Sequence, residues 1–170
     1  MTVTTKLEQL DQVIAALEIL QKRFLPLLSA AGNISEARGR RCILAIADKG
    51  KTHRQYYFEV TQTGIQLVDA YAVYNTLIQA PLDGVLRVFT GLLYGWESAF
   101  SNEWTRGEAR VIGERSMHDA IMFSNTFRQL ARLIRKVAGE TRCPVCGNRF
   151  AKDIPCCLQC GQDFPQRGPA

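Results

Sequence analysis

Apolar residues recur every three or four positions between residues 5 and 30, at Leu7, Leu10, Ile14, Leu17, Leu20, Phe24 and Leu27. That spacing predicts a helix with one buried face. Pro26 is expected to end or kink it, and Gly32-Asn33 to close the region. Residues 33–41 (NISEARGRR) form a polar, basic connector. The pattern then changes period. RCILAIAD (41–48) is apolar almost throughout, as in a strand covered on both faces. After a turn at 49–53, RQYYFEVT (54–61) alternates Tyr56, Phe58 and Val60 against Tyr57 and Glu59. Gln62-Thr63-Gly64 turns the chain into IQLVDAY (65–71), and VYNTLIQ (73–79) follows. Strands in hairpin succession predict antiparallel pairing.

Pro81 opens a helix, PLDGVLRVFTG, expected to end at Gly91. WESAFSNEW (96–104) places Trp96, Phe100 and Trp104 on one side at steps of four. GEARVIG (107–113) is a short strand between glycines. Ser116 is expected to cap a last helix over 117–138, with Ile121, Phe127, Leu130 and Ile134 on its inner face and Gly139 as its stop. Two units result: a helix–sheet–helix body over 1–139, and a small module with its tail over 140–170.

The module carries the strongest chemical motif. CPVCGNRFAKDIPCCLQCG (143–161) holds five of the six cysteines. Cys143-Pro-Val-Cys146-Gly and Cys157-Leu-Gln-Cys160-Gly are two copies of C-x-x-C-G. Each pair of thiolates can grip one ion if the chain turns tightly, and the glycine behind tolerates the positive φ that aims backbone N–H groups at sulfur. Two such turns make a tetrahedral four-thiolate site of the zinc-ribbon kind, with Cys143, Cys146, Cys157 and Cys160 as ligands. Iron in a rubredoxin-like site uses the same knuckles and stays open. A disulfide pair or a redox C-x-x-C fits less well, because a redox pair stands between a strand and a long helix, and here the cysteines follow a helix. Cys156 competes for the third position, but the glycine register favours Cys157. Cys42 reads as a small buried residue. A site closed by four cysteines has no open coordination position and should stabilise instead of catalyse.

Composition narrows the setting. An apolar content of 46% is that of a folded chain, and a body of this size can bury its own core, whereas the short cysteine module needs a crosslink or an ion to fold. The net charge of +5 permits anionic partners without demanding them. Glu8, Asp11 and Glu18 interrupt the first apolar stretch, so no signal peptide is visible, and no run is long enough to span a membrane. A reducing, cytoplasmic location is expected. Catalytic patterns are scarce. His53 and His118 read as solvated surface residues. Gly50-Lys51-Thr52 lacks the glycine of a phosphate loop, because Ala45 stands in its place and a strand follows. Ser98 lacks a nucleophile-elbow frame. The chain is expected not to be an enzyme.

From residue 74 to residue 130 the order is strand, helix, glycine, short helix, a strand between glycines, and a long helix, with Gly91, Gly107 and Gly113 as the glycines and Phe100 between the first two. This order resembles the sterol carrier protein 2-like family of lipid-binding domains, and the helix and strands of residues 5–79 extend the resemblance to most of the body. It implies an α+β fold, a five-stranded mixed sheet packed with helices. It also implies a tunnel that takes acyl chains, sterols or similar molecules. Where that family often carries a short apolar tail over the pocket, this chain carries the metal module, and its RGPA end is not a peroxisomal signal.

The residues expected to line the pocket are Leu86, Phe89, Leu93, Trp96, Phe100, Trp104, Ile121 and Phe127. Met117, Met122 and Phe123 widen the apolar face of the last helix, and the plainer reading of each residue is ordinary core. Arg128, Arg132, Arg135 and Lys136 form a basic stripe on the last helix, with Arg142 and Arg149 nearby. The leading expectation is non-catalytic binding or transfer of a hydrophobic ligand, with the zinc ribbon docking a protein partner. The alternative is a regulatory or nucleic-acid-associated adaptor acting through the ribbon and the basic stripe; nucleic acid ranks behind lipid and protein as a partner.

Overall fold

The computed structural model describes residues 2–30, 39–48, 50–61, 64–70, 73–107 and 109–164. The features expected at Gly32-Asn33, over most of the 33–41 connector, at the Gln62-Thr63 turn and in the RGPA tail lie outside them, as do the side chains of Phe24, Leu27, Val60 and Phe123.

Helix α1 (Val3–Ala30) buries Leu7, Leu10, Ile14 and Leu17 along one stripe. It continues past Pro26, so the proline falls inside the helix instead of closing it: losing one N–H from the ladder weakens that turn without forcing the chain out of helical torsions. Polar contacts pin the helix to its neighbours. The Tyr56 hydroxyl donates to Asp11 Oδ1 at 2.7 Å, Arg54 pairs with the same carboxylate, and Lys6 reaches Asp83 at 2.6 Å.

Strands β1 (Arg41–Asp48), β2 (Lys51–Thr61), β3 (Gly64–Leu67), β4 (Thr76–Ala80) and β5 (Arg110–Ile112) form one sheet in the order β3-β2-β1-β4-β5. β1–β2, β2–β3 and β4–β5 are antiparallel, whereas β4 runs parallel to β1. The all-antiparallel pairing read from the hairpin succession is therefore corrected. After β3 the chain does not fold back onto its neighbour but crosses to the free edge of β1. There Asn75 fixes the register, its N–H donating to Arg41 O and its Oδ1 accepting from Arg41 N, 2.9 and 2.8 Å. The fold is the mixed, helix-packed α+β arrangement expected. β1 is its central strand, which is why its apolar run is continuous.

Helix α2 (Leu82–Leu93), helix α3 (Ala99–Thr105) and the long helix α4 (Ser116–Ala138) complete the body. α2 runs beyond Gly91, whose role is close approach and not termination: a Cβ there would stand 2.8 Å from Trp96 Cε3. Gly139, at φ 83°, follows α4, and the chain enters the hairpin β6 (Glu140–Arg142) and β7 (Arg149–Ala151).

The buried positions of α4 include Asp119, Ala120, Ser124, Thr126, Leu130, Ala131, Ile134 and Arg135, with Phe127 half-buried between them. Ile121 sits one residue, about 100° of helix, off that stripe and is 48% exposed. Its expected inward position is thus corrected. The early turns of α4 carry more apolar residues than the stripe needs, and Met117 is likewise exposed. No helix among the described residues is long and apolar enough to cross a membrane.

Candidate functional site: an apolar cavity and a four-cysteine hairpin

The sheet presents alternate residues to the helices, and register decides which ones meet. Phe58 lies opposite Cys42 and Ile78 opposite Leu44, so these four share the inner face with Ala80. Above them stand Ile14, Leu17 and Glu18 of α1, Gly84, Val85, Val88, Phe89 and Leu92 of α2, Phe100 of α3, and Phe127 and Leu130 of α4. Between the layers remains a cavity of about 90 Å³. Close-packed interiors rarely leave a void larger than a water molecule. At about 24 cal/mol per Å³, a fully enclosed and empty space of this size would cost up to about 2 kcal/mol.

Of the eight residues expected to line a pocket, Phe89, Phe100 and Phe127 do so, and they form a ring cluster with Phe127 at its centre. Its centroid is 6.2 Å from Phe89 and 5.6 Å from Phe100, both edge to face. Leu86 and Leu93 are half-buried against the core outside the lining described, and Trp104 is half-buried near the end of α3. Trp96 is buried but outside the cavity lining, packed onto Gly91 and onto Phe150 of the cysteine hairpin. The lining from α1 and the sheet was not anticipated as pocket, although the Ile14–Leu17 stripe and the apolar β1 run had marked it as buried.

The second feature is the cysteine cluster. The sulfurs of Cys143, Cys146, Cys157 and Cys160 all lie within 4.8 Å of one another. Between the knuckles the sulfurs stand 3.6 Å apart for Cys143–Cys160 and 3.5 Å apart for Cys146–Cys157. A tetrahedron with bonds of about 2.3 Å has edges of about 3.8 Å, so four thiolates placed this way fit a zinc-sized ion. Gly147 and Gly161 take φ of 74° and 77°, the left-handed torsion the motif requires. It lets Gly147 N–H reach Cys143 O at 3.0 Å and Gly161 N–H reach Cys157 O at 2.8 Å. Backbone N–H groups of Cys146, first, and Val145 pull the Cys143 thiol down to about 6 against its burial. Burial pushes Cys157 up to about 12. Cys156 is half-buried and stands outside the cluster, bridging to Asp163.

The hairpin is built into the body. Phe150 is fully buried, 6.0 Å from the Trp96 ring and 6.2 Å from Phe164, and Ala151 N–H donates to Tyr94 O at 2.7 Å. Cys143, Phe150, Ile154 and Cys157 belong to the same buried cluster as Leu92, Trp96 and Phe100. Arg135 locks the junction: its guanidinium donates to Gly95 O, pairs with Glu97, and reaches Glu140 of β6 at 3.1 Å. Burial alone would raise the Glu97 carboxyl, but hydrogen bonds from Arg135 and Arg132 outweigh it and hold it below its ordinary value. Arg135 is only 6% exposed, so it leaves the basic stripe expected on the outer side of α4, and Arg132 is engaged with Glu97 at 2.8 Å. Helical period had put Arg135 beside Arg132; the α2–α3 loop folding over that face is what buries it.

One buried polar cluster carried no motif. Asp119, fully buried in the first turn of α4, receives Arg40 at 2.8 Å and the Thr76 hydroxyl, tying α4 to the starts of β1 and β4. Burial first, then the Asp119 charge, pushes the neighbouring Cys42 thiol up to about 12, which leaves it an inert core group. His53 Nε2, in β2, stands 3.7 Å from Asp48 at the end of β1, and His118 is exposed; neither is among the described lining residues of the cavity.

No protein-family model matches the sequence, and no curated protein matches it. Among solved structures the chain is similar to a UbiJ-SCP2 ubiquinone synthesis protein, with 16% identity, a TM-score of 0.47, and coverage of 73% of this chain and 96% of that one. It is also similar to the sterol carrier protein domain 2 of Helicoverpa armigera, with 14% identity, a TM-score of 0.45, and coverage of 71% and 88%. A third is palmitated SCP2L2 of Aedes aegypti, with 15% identity, a TM-score of 0.37, and coverage of 79% and 95%. Likeness at this level assigns neither a family nor a ligand.

Proposed function

We propose that the body binds a hydrophobic small molecule between its helical layer and its sheet, without catalysing a reaction on it. The observation that carries this reading is the void: walled by apolar side chains from every layer and left unfilled at a cost of up to about 2 kcal/mol. An apolar guest recovers that cost and adds roughly 0.8 kcal/mol per buried methylene before association costs. At about 90 Å³ the void is below the roughly 300 Å³ at which small-molecule sites begin. Loading therefore requires the walls to part, and the Phe89–Phe127–Phe100 cluster between α2, α3 and α4 is the seam along which they do so.

The cysteine hairpin supplies rigidity. Cys143, Cys146, Cys157 and Cys160 hold a zinc ion, which crosslinks two knuckles that have little core of their own and keeps Phe150 seated against Trp96. The outer surface of the first knuckle, where Val145 is 67% exposed, is the face for a protein partner.

Titration with diphenylhexatriene, an uncharged apolar fluorophore, tests the binding reading. Saturable uptake near one per chain, competed by unlabelled long-chain molecules, is expected. Absence of uptake, or uptake that never saturates, contradicts it. Metal analysis of the purified chain should find one zinc per molecule; iron in its place would correct the ion while keeping the site.

A further inference from the structure

Among the described lining residues of the otherwise apolar cavity, one is charged. Glu18, on α1, is half-buried among the lining residues beside Leu17 and Phe58. Its Oε1 accepts the backbone N–H of Leu67, at the end of β3, at 3.2 Å. A carboxylate has about four lone-pair sites, and among the described residues Glu18 uses one of them in this bond, which leaves acceptor capacity at the cavity wall. Among the described residues that line the cavity none is Lys, Arg or His. The Cys42 thiol, the other polar side chain there, approaches its neighbour Ile43 O at 3.8 Å.

Resting on the binding reading above, we propose that Glu18 makes the site selective for apolar molecules whose polar end is a neutral hydrogen-bond donor, a hydroxyl above all, and selective against free fatty acids. A hydroxyl donates to the unused Glu18 oxygen and leaves no buried polar group unpaired. An ionised fatty-acid head finds no cation in the lining and meets a like charge on α1. Burying an unpaired charge is costly, and the second negative group adds repulsion. The hydrogen bond to Leu67 holds the Glu18 side chain in place, so the carboxylate does not have to be ordered when ligand arrives.

The test compares two probes of one chain length that differ only at the head, a conjugated-tetraene fatty alcohol and the matching fatty acid, with the full-length, metal-loaded protein at neutral pH. The wild type is expected to bind the alcohol on the order of tenfold more tightly than the acid. Glu18→Gln keeps an acceptor for Leu67 N–H and removes the charge, and it should bring the two affinities within about threefold of each other by tightening the acid. Equal affinities in the wild type, or a ratio unchanged in Glu18→Gln, overturn the selectivity while leaving the binding site standing. Uptake of neither probe overturns both. Equal wild-type affinities overturn the proposal even if the variant folds poorly.

Discussion

Ala80→Leu turns the void into a signed prediction. Ala80 is the last residue of β4, on the same face as Ile78, and its methyl group borders the cavity from the rigid side of the fold. Leucine adds an isopropyl group directed into the space. If the space is real, the new carbons are buried without displacing neighbours and recover much of the cost of the 90 Å³ void, up to about 2 kcal/mol. Fixing the leucine side chain takes back about 0.5–1 kcal/mol. A net gain of about 1 kcal/mol follows, which for a chain of this size is a rise in Tm of about 2–4 °C. Urea unfolding should show a higher midpoint at an unchanged slope, because the surface exposed on unfolding hardly changes. The same variant should lose saturable diphenylhexatriene uptake, since the filled site no longer opens onto unoccupied space. A solidly packed interior gives the opposite sign: overpacking destabilises by about 1–3 kcal/mol. A lower midpoint would refute the reasoning whatever the uptake does.

Asp119→Asn leaves Arg40 facing a neutral amide inside the fold, and urea unfolding should show a loss of about 3 kcal/mol; a loss under about 0.5 kcal/mol would mean that the cluster is solvated. Metal removal should reach the body, because Phe150 packs on Trp96. Chelation is expected to shift tryptophan emission to the red and lower the thermal midpoint, whereas an unchanged midpoint would make the hairpin a passive appendage. Acid should release the metal as well, since protons compete for thiolate ligands and Cys157 holds its proton up to about 12 without an ion. The Glu97 carboxyl is lowered in the fold, so its contribution is present above the unfolded value and lost as pH falls through the folded one. Arg135→Met should therefore flatten the decline of stability with acidification below about pH 4.5. An unchanged acid profile would show that the junction does not depend on that ion pair.

Periodic and covalent-scale patterns were readable before any coordinates. The α1 stripe, the apolar run of β1 and the alternation of β2 each reflect which face of one element meets the core. The doubled C-x-x-C-G motif implied its own geometry, because chelation and the glycine torsion are local. What escaped depended on which elements become neighbours. The parallel pairing of β4 is set by a crossing made after β3. Arg135 follows the buried Ala131 by four residues and so lies beside the inner stripe; its charge suggested solvent, and it is buried because Gly95 and Glu97 receive its guanidinium. Phe150 in isolation belongs to a knuckle hairpin; in the fold it is a core residue of the body. Asp119 became a buried anchor because β1 and β4 both begin beside the first turn of α4. The pocket expectation concentrated on residues 82–127, where aromatic density is highest, and so omitted the sheet floor and Glu18.

Native mass spectrometry of the freshly purified full-length chain tests the central claim most directly. Non-denaturing spectra should show the polypeptide with one zinc and a fraction carrying an additional lipid-sized mass. That extra mass should be released by mild collisional activation and should be missing from Ala80→Leu. A chain that carries its metal and nothing else, even after incubation with long-chain alcohols, would contradict the claim that the interior is a ligand site.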